Sequence, residues 1–189
     1  SFFPSKNLGC FGDGGALFIN DDVFAERARM IANHGQSKKY HHDLIGCNSR
    51  LDTIQAAVLD VKLKHLDEYS EARNLLADFY DSALKSVDGI ILPKRSESSS
   101  HVFHQYTIRV LNAKRDAVKE ALAKNGIPSM IYYPIPLHLQ KAYVQDGLER
   151  GSFPVSEALA EEVLSLPMHT EMSEEVRAFI IESLIDILS

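Results

Sequence analysis

Residues 1–19 read SFFPSKNLGCFGDGGALFI. Gly14 and Gly15 release a short apolar run, Ala16 to Ile19, which predicts a buried strand ended by Asn20-Asp21-Asp22. A strand this early must pair with something, and the opening lacks a Met, a cap or a polar lead-in, so the segment reads as a cut through a larger domain. An unpaired strand and a bare apolar face predict association with other chains or a missing N-terminal partner. Lys6 stands between Pro4 and the glycine-punctuated turn Gly9, Gly12, Gly14, Gly15, among Phe, Leu and small residues. A lysine held among apolar groups loses proton affinity, because desolvation penalises the ammonium form, and its free amine can attack a carbonyl. That is Schiff-base chemistry. The alternative is a loop lysine that reaches back to water. The glycines have neither Rossmann nor P-loop spacing and read as a turn.

Working outward, the acidic pair Asp21-Asp22 predicts a helix from about Val23 to Asn33, with Phe24, Ala28 and Ile31 on one face and Gly35 as its stop. Residues 35–50 show no regular period and are dense in His, Lys, Gly and Asn, as in a long ordered loop. Asp52 is placed to cap the next helix, with Gln55 in the capping-box position, and no Gly or Pro interrupts the run to Val87. One long helix of about 50 Å is expected, suited to tying two domains or two subunits together. Two helices joined near Asp67 are the alternative.

After Gly89 a second unit begins. Ile90 to Leu92 reads as a short strand, and Tyr106, Ile108 and Val110 alternate with Thr107 and Arg109 in a second. A helix from about Lys114 to Lys124 ends at Asn125-Gly126, and Ser129 to Tyr133 reads as another strand before Pro134 and Pro136. Helices from about Val155 to Leu164 and from Glu174 to Leu188 complete the chain. The last is capped by Ser173, with Val176, Phe179, Ile180, Leu184 and Ile187 inward.

Composition bounds the function. The 189 residues are 45% hydrophobic and 24% charged, with two Cys and a net charge of −6, as in a soluble globular protein without a disulfide framework. Neither a secretory signal nor a membrane span is evident, which makes the cytoplasm the expected compartment. The negative charge argues against nucleic acid and anionic lipid as partners, yet five strong bases between Arg27 and Arg50 meet one acid, Asp43. Asn48, Ser49 and Arg50 lie just before a helix start, where unpaired N–H groups favour a phosphate or carboxylate; equally, Asn48 and Ser49 shape the turn and Arg50 pairs with Asp52 or a neighbour. His34, His41, His42, His138, Asp43 and the Cys have no known zinc spacing, so no metal is expected. Tyr132 to His138 form a proline-rigid aromatic segment suited to lining a pocket, or simply finishing a core strand.

Taken in order and spacing, SFFPSKN, FGDGGA, YHHDLIGCNSRLDTIQAAVL and YYPIPLHLQ resemble the DegT/DnrJ/EryC1/StrS family of sugar aminotransferases. The loop HGQSKKYHHDLIGCNSRLD is most similar to members that aminate a 3-keto UDP-N-acetylglucosaminuronic acid. The resemblance covers the whole chain but only the back half of the family's usual polypeptide. It implies the α/β C-terminal half of a fold-type I pyridoxal-phosphate transferase. Residues 1–51 would end the large cofactor domain, 52–88 would be the linking helix, and 89–189 the small α+β domain. The cofactor implied is pyridoxal 5′-phosphate. Lys6 matches the lysine that bonds the cofactor and moves the proton, Ser1 a serine on the cofactor phosphate, and Asn48 an asparagine reaching that phosphate from the partner subunit of a homodimer. Arg50, Tyr132 and Tyr133 match positions lining the substrate pocket, although His often stands where Tyr132 is. The implied reaction moves an amino group, from glutamate in most relatives, to a keto group of a nucleotide-linked sugar, in surface-polysaccharide or related biosynthesis. The dehydrating relatives carry His in place of the lysine, so Lys6 argues against them. A different class of answer is a non-catalytic fragment or binding module, because the aspartate that pairs with the cofactor ring belongs to the half not present here.

Overall fold

Asp21 opens the first helix as the acidic pair predicts: its Oδ1 accepts from the Phe24 N–H at 3.0 Å, and α1 runs Asp22–Ala32. The structure, a computed structural model, describes residues 1–112, 114–145 and 147–189. It divides into two compact units, Ser1–Glu68 and Tyr69–Ser189.

In the first unit the Ala16–Ile19 segment forms no strand, because no neighbouring strand among the described residues offers its backbone a ladder. Leu17 and Phe18 are exposed at 79% and 98%. The α1 stripe is likewise bare, with Phe24 and Ile31 exposed. The stretch expected as a loop contains a small antiparallel hairpin, β1 (Gln36–Lys38) and β2 (His41–His42), turned by Tyr40 at φ 70°.

The single helix expected over 52–88 is instead the two-helix alternative, α2 (Thr53–Leu63) and α3 (Leu66–Leu84), parted at Lys64–His65, just before the expected join at Asp67. Neither Gly nor Pro marks the break, so the sequence leaves one helix and two as alternatives. The capping box is not made either: Asp52 makes no side-chain cap bond, and the Gln55 amide oxygen is taken by the Phe11 N–H at 2.8 Å.

The second unit is an antiparallel sheet in the order β3 (Ile90–Ile91), β4 (Tyr106–Val110), β5 (Val163–Leu166), with α3, α4 (Arg115–Lys124), α5 (Pro154–Glu162) and α6 (Glu174–Leu188). Alternation in β4 is as read: Tyr106, Ile108 and Val110 are buried, and Thr107 and Arg109 are half-buried. Tyr106, Ile108 and Val110 join Leu76, Tyr80 and Leu84 of α3, Leu122 of α4 and Leu184 of α6 in one core. Thus α3 supplies core side chains to this unit and is more than a linker.

Three expectations here are corrected. Ser129–Tyr133 makes one bridge, Met130 with Ser165, instead of a strand. The helix expected to Leu164 stops at Glu162, and β5 follows with all four residues buried. VLSL continues the helical spacing of the sequence before it, but pairing with β4 and burial decide for the strand. In α6, Val176 and Phe179 are exposed at 47% and 51%, while Ile181 takes an inward place beside Ile180 and Leu184. Because Ile108 is fully buried on the central strand, Ile108→Ala should cost about 2–5 kcal/mol, read as a lowered denaturation midpoint.

Candidate functional site

Lys6 rides on a loop that closes on itself. The Phe2 N–H donates to Gly14 O at 2.8 Å, the Cys10 N–H to Phe2 O at 2.8 Å, and the Lys6 N–H to Phe3 O at 2.9 Å. The buried Cys10 thiol contacts Phe2 O and Gly12 O, each at 3.0 Å. A Cβ at Gly9 would lie 2.5 Å from Pro4 O, so only glycine lets the two turns of the loop meet. Two side chains of α2 then pin the loop: Gln55 through Phe11, and Lys62, whose Nζ donates to Gly9 O at 2.6 Å. Lys6 itself is half-buried, so the enclosure expected for it is partial. Among the described residues its Nζ finds no hydrogen-bond or ion-pair partner. Ser1 is exposed, and its Oγ accepts a long bond from the Phe3 N–H at 3.4 Å.

Asn48 is set in place by the end of α1. The Cys47 N–H donates to Ile31 O at 2.8 Å, the His34 N–H to Cys47 O at 2.9 Å, and the Ser49 N–H to Ala32 O at 2.9 Å. Asn33 and Asn48 pair as an isolated bridge. The Arg50 Nε donates to Asn48 Oδ1 at 3.1 Å, so its partner is a neighbour and not Asp52. Both side chains are exposed and form one patch of N–H donors suited to an oxyanion.

Tyr132 and Tyr133 belong to the second unit, where they line a cavity of about 800 Å³ together with Ile135, His138, Tyr143 and Phe153. Their rings meet edge-on at 5.5 Å. His138, weighed from the sequence as a metal ligand and as part of the pocket-lining segment, lines the cavity and faces a carboxylate: its Nε2 is 2.9 Å from Glu157 Oε1. Burial by itself raises the Glu157 carboxyl, but hydrogen bonds from the Gly151 N–H, His138 and the Phe153 N–H outweigh it and hold the pKa below its ordinary 4.5. Its stabilisation is therefore complete above that value and lost as pH falls through the lower folded value. Glu157→Gln should shift the acid-unfolding midpoint toward neutrality, measured by circular dichroism. The sequence marks Glu157 only as a carboxylate in the first turn of a proline-opened helix, and nothing in it points to His138 as the partner.

Among the described residues, no group of three His, Cys, Asp or Glu is arranged to hold a metal. No helix is long and apolar enough to cross a membrane. Ser1, Lys6, Asn48 and Arg50 fall in the first unit and the tyrosines in the second.

Comparison with known proteins covers nearly the whole chain. The model of the DegT/DnrJ/EryC1/StrS aminotransferase family matches residues 1–185. The chain is 49% identical over 175 residues to UDP-N-acetyl-3-dehydro-α-D-glucosamine 3-aminotransferase of Acidithiobacillus ferrooxidans, covering 93% of this chain and 46% of that protein. It is 44% identical over 179 residues to dTDP-3-amino-3,4,6-trideoxy-α-D-glucose transaminase of Streptomyces venezuelae, covering 94% and 47%. Among solved structures, DesV of S. venezuelae superimposes with a TM-score of 0.92 at 41% identity, covering 98% of this chain and 49% of that one. The chain spans about half the length of the curated relatives it matches.

Proposed function

The chain belongs to the DegT/DnrJ/EryC1/StrS aminotransferase family, and from that premise we propose that the complete protein carrying it moves an amino group from an amino-acid donor, glutamate first among candidates, to a keto group of a nucleotide-linked sugar. The reading is of a cytoplasmic homodimer with shared active sites, serving surface-polysaccharide or related sugar biosynthesis. The observation that carries it is Lys6: an amine without a partner among the described residues, on a loop pinned by Gln55 and Lys62.

The donor set fits pyridoxal 5′-phosphate. Lys6 offers a primary amine for the aldehyde, the Ser1 hydroxyl and the Asn48 amide offer hydrogen bonds to the phosphate, and Arg50 supplies a cation beside Asn48. When bound, the cofactor supplies that aldehyde and an electron-withdrawing ring. The rest falls to the chain. Lys6 Nζ takes up a proton as the neutral amine and returns it as the ammonium. Asn48 and Arg50, held by the backbone bonds to the end of α1, orient anionic groups without having to reorganise. Tyr132 and Tyr133 present two phenols and an apolar wall to the sugar nucleotide and exclude water from it.

Support for an assembled state comes from the first unit, whose buried hydrophobic side chains are Cys10 and Leu59, whereas Phe11, Phe18, Ile45 and Ile54 are at least 74% exposed. Such a unit buries too little apolar surface to offset its own ordering entropy. The same observation favours a second reading, that residues 1–189 by themselves bind ligand without turnover. The test incubates the complete protein with glutamate and UDP-N-acetyl-3-dehydroglucosamine or a dTDP-linked 3-keto sugar, and follows the amino-sugar product by mass. The 189-residue chain runs in parallel. Amination by the complete protein alone satisfies both readings, robust turnover by the short chain rejects the second, and no product with either sugar rejects the first.

A further inference from the structure

One carboxylate gathers two residues that line the tyrosine cavity and the turn before α5. Glu157, in the first turn of α5, accepts from the Gly151 N–H at 2.8 and 2.9 Å, from the Phe153 N–H at 3.3 Å, and meets His138 Nε2 at 2.9 Å. The His138 and Glu157 side chains are only 7% and 11% exposed. The His138 ring also packs edge-on against Phe153, with centroids 4.8 Å apart. His138 and Phe153 line the cavity, while Glu157 does not and holds both.

The anchor beneath this cluster is firm. Buried Arg115 of α4 donates from Nη1 to Ala160 O at 3.0 Å and to Val163 O at 3.2 Å, which ties the junction of α5 and β5 to α4. From His138, in the short 3₁₀ turn Leu137–Leu139, the chain runs back through Pro136 and Pro134 to Tyr133. Two prolines in four residues lock their φ angles, so a displacement at His138 is transmitted to the tyrosines instead of being absorbed.

We propose that His138 and Glu157 are positioning residues that hold the Tyr132–Tyr133 wall in the geometry that binds a nucleotide-linked sugar. This rests on the reading of that cavity as the substrate pocket. A buried, charge-assisted contact shared among three donors is suited to that task, because it fixes a loop in register to within a fraction of an ångström.

Calorimetric titration of the complete protein with UDP-N-acetylglucosamine and with dTDP-glucose tests it, using whichever binds the parent more tightly. His138→Ala and Glu157→Ala should each weaken binding by about tenfold or more, since a small misplacement of a binding group has effects of that order. His138→Gln, whose amide nitrogen replaces Nε2 as donor, should stay within about threefold of the parent. If an alanine variant does not fold, His138→Asn, whose shorter amide cannot reach Glu157, takes its place in the comparison with His138→Gln. Parental binding by His138→Ala or His138→Asn overturns the proposal, as does a His138→Gln variant as weak as either. Tyr133→Ala separates the two claims. If it leaves binding unchanged, or if neither probe binds the parent, the pocket reading fails and the proposal with it; if Tyr133→Ala weakens binding but the His138 variants do not, only the positioning role fails.

Discussion

Lys6→Ala in the complete protein is expected to abolish amino transfer, lowering the rate by at least about 10⁴-fold, because the residue is assigned both the covalent bond to the cofactor and the proton transfer, and general acid–base catalysis alone contributes 10²–10⁴-fold. The fold should be untouched. The Lys6 side chain makes no hydrogen bond or ion pair among the described residues, and the loop is held by backbone bonds and by Cys10, Gln55 and Lys62. The melting temperature should therefore stay close to that of the parent, while the absorbance of the protein-bound cofactor changes to that of the free aldehyde. Activity within tenfold of the parent would reject the assignment, and a large loss of stability would mean that Lys6 serves the loop and not the chemistry.

The second large effect is expected at Gly46. A Cβ there would lie 2.2 Å from Gly35 N and 2.6 Å from Ile31 O, and both are backbone atoms that no rotamer change can move. Gly35 faces the same crowding, with φ 75° and a Cβ position 1.7 Å from Leu44 O. The two glycines let the segment leading to Asn48 pass directly against the end of α1. Gly46→Ala should destabilise the protein by about 3 kcal/mol, the upper end of overpacking costs, and should weaken retention of the cofactor as Asn48 and Arg50 lose their register. Gly15→Ala is the control, since its Cβ would meet nothing within 4 Å. Surface changes of that kind stay within about 0.5 kcal/mol. Equal thermal stability of the two variants would contradict this account of the loop.

Gly46 also shows where a sequence stops being informative. Its close approach to Gly35 is a tertiary contact, and nothing in the spacing of residues 35–50 announces it. By contrast, features set by local physics were legible: the Asp21 and Ser173 caps, the burial alternation of Tyr106, Ile108 and Val110, and the limits of α6. What failed was decided at a distance. Ala16–Ile19 has strand composition but no partner, Gln55 is drawn from its cap by Phe11, and Val163–Leu166 leaves a helical pattern to pair with β4. Lys6, Asn48 and the two tyrosines, the residues proposed here for cofactor and substrate, were named from residue type and resemblance. The His138–Glu157 pair was not, because nineteen residues separate its members and only the folded loop brings them within 2.9 Å.

The claim on which the rest depends is that a pyridoxal carbonyl bonds to Lys6. Reduction of the complete protein with borohydride in the presence of pyridoxal 5′-phosphate, followed by peptide mass mapping, tests it directly. The account predicts the reduced cofactor on Lys6, in the tryptic peptide that contains Lys6 and ends at Arg27. Modification of another lysine with Lys6 left bare, or no protein-bound cofactor at all, would contradict it.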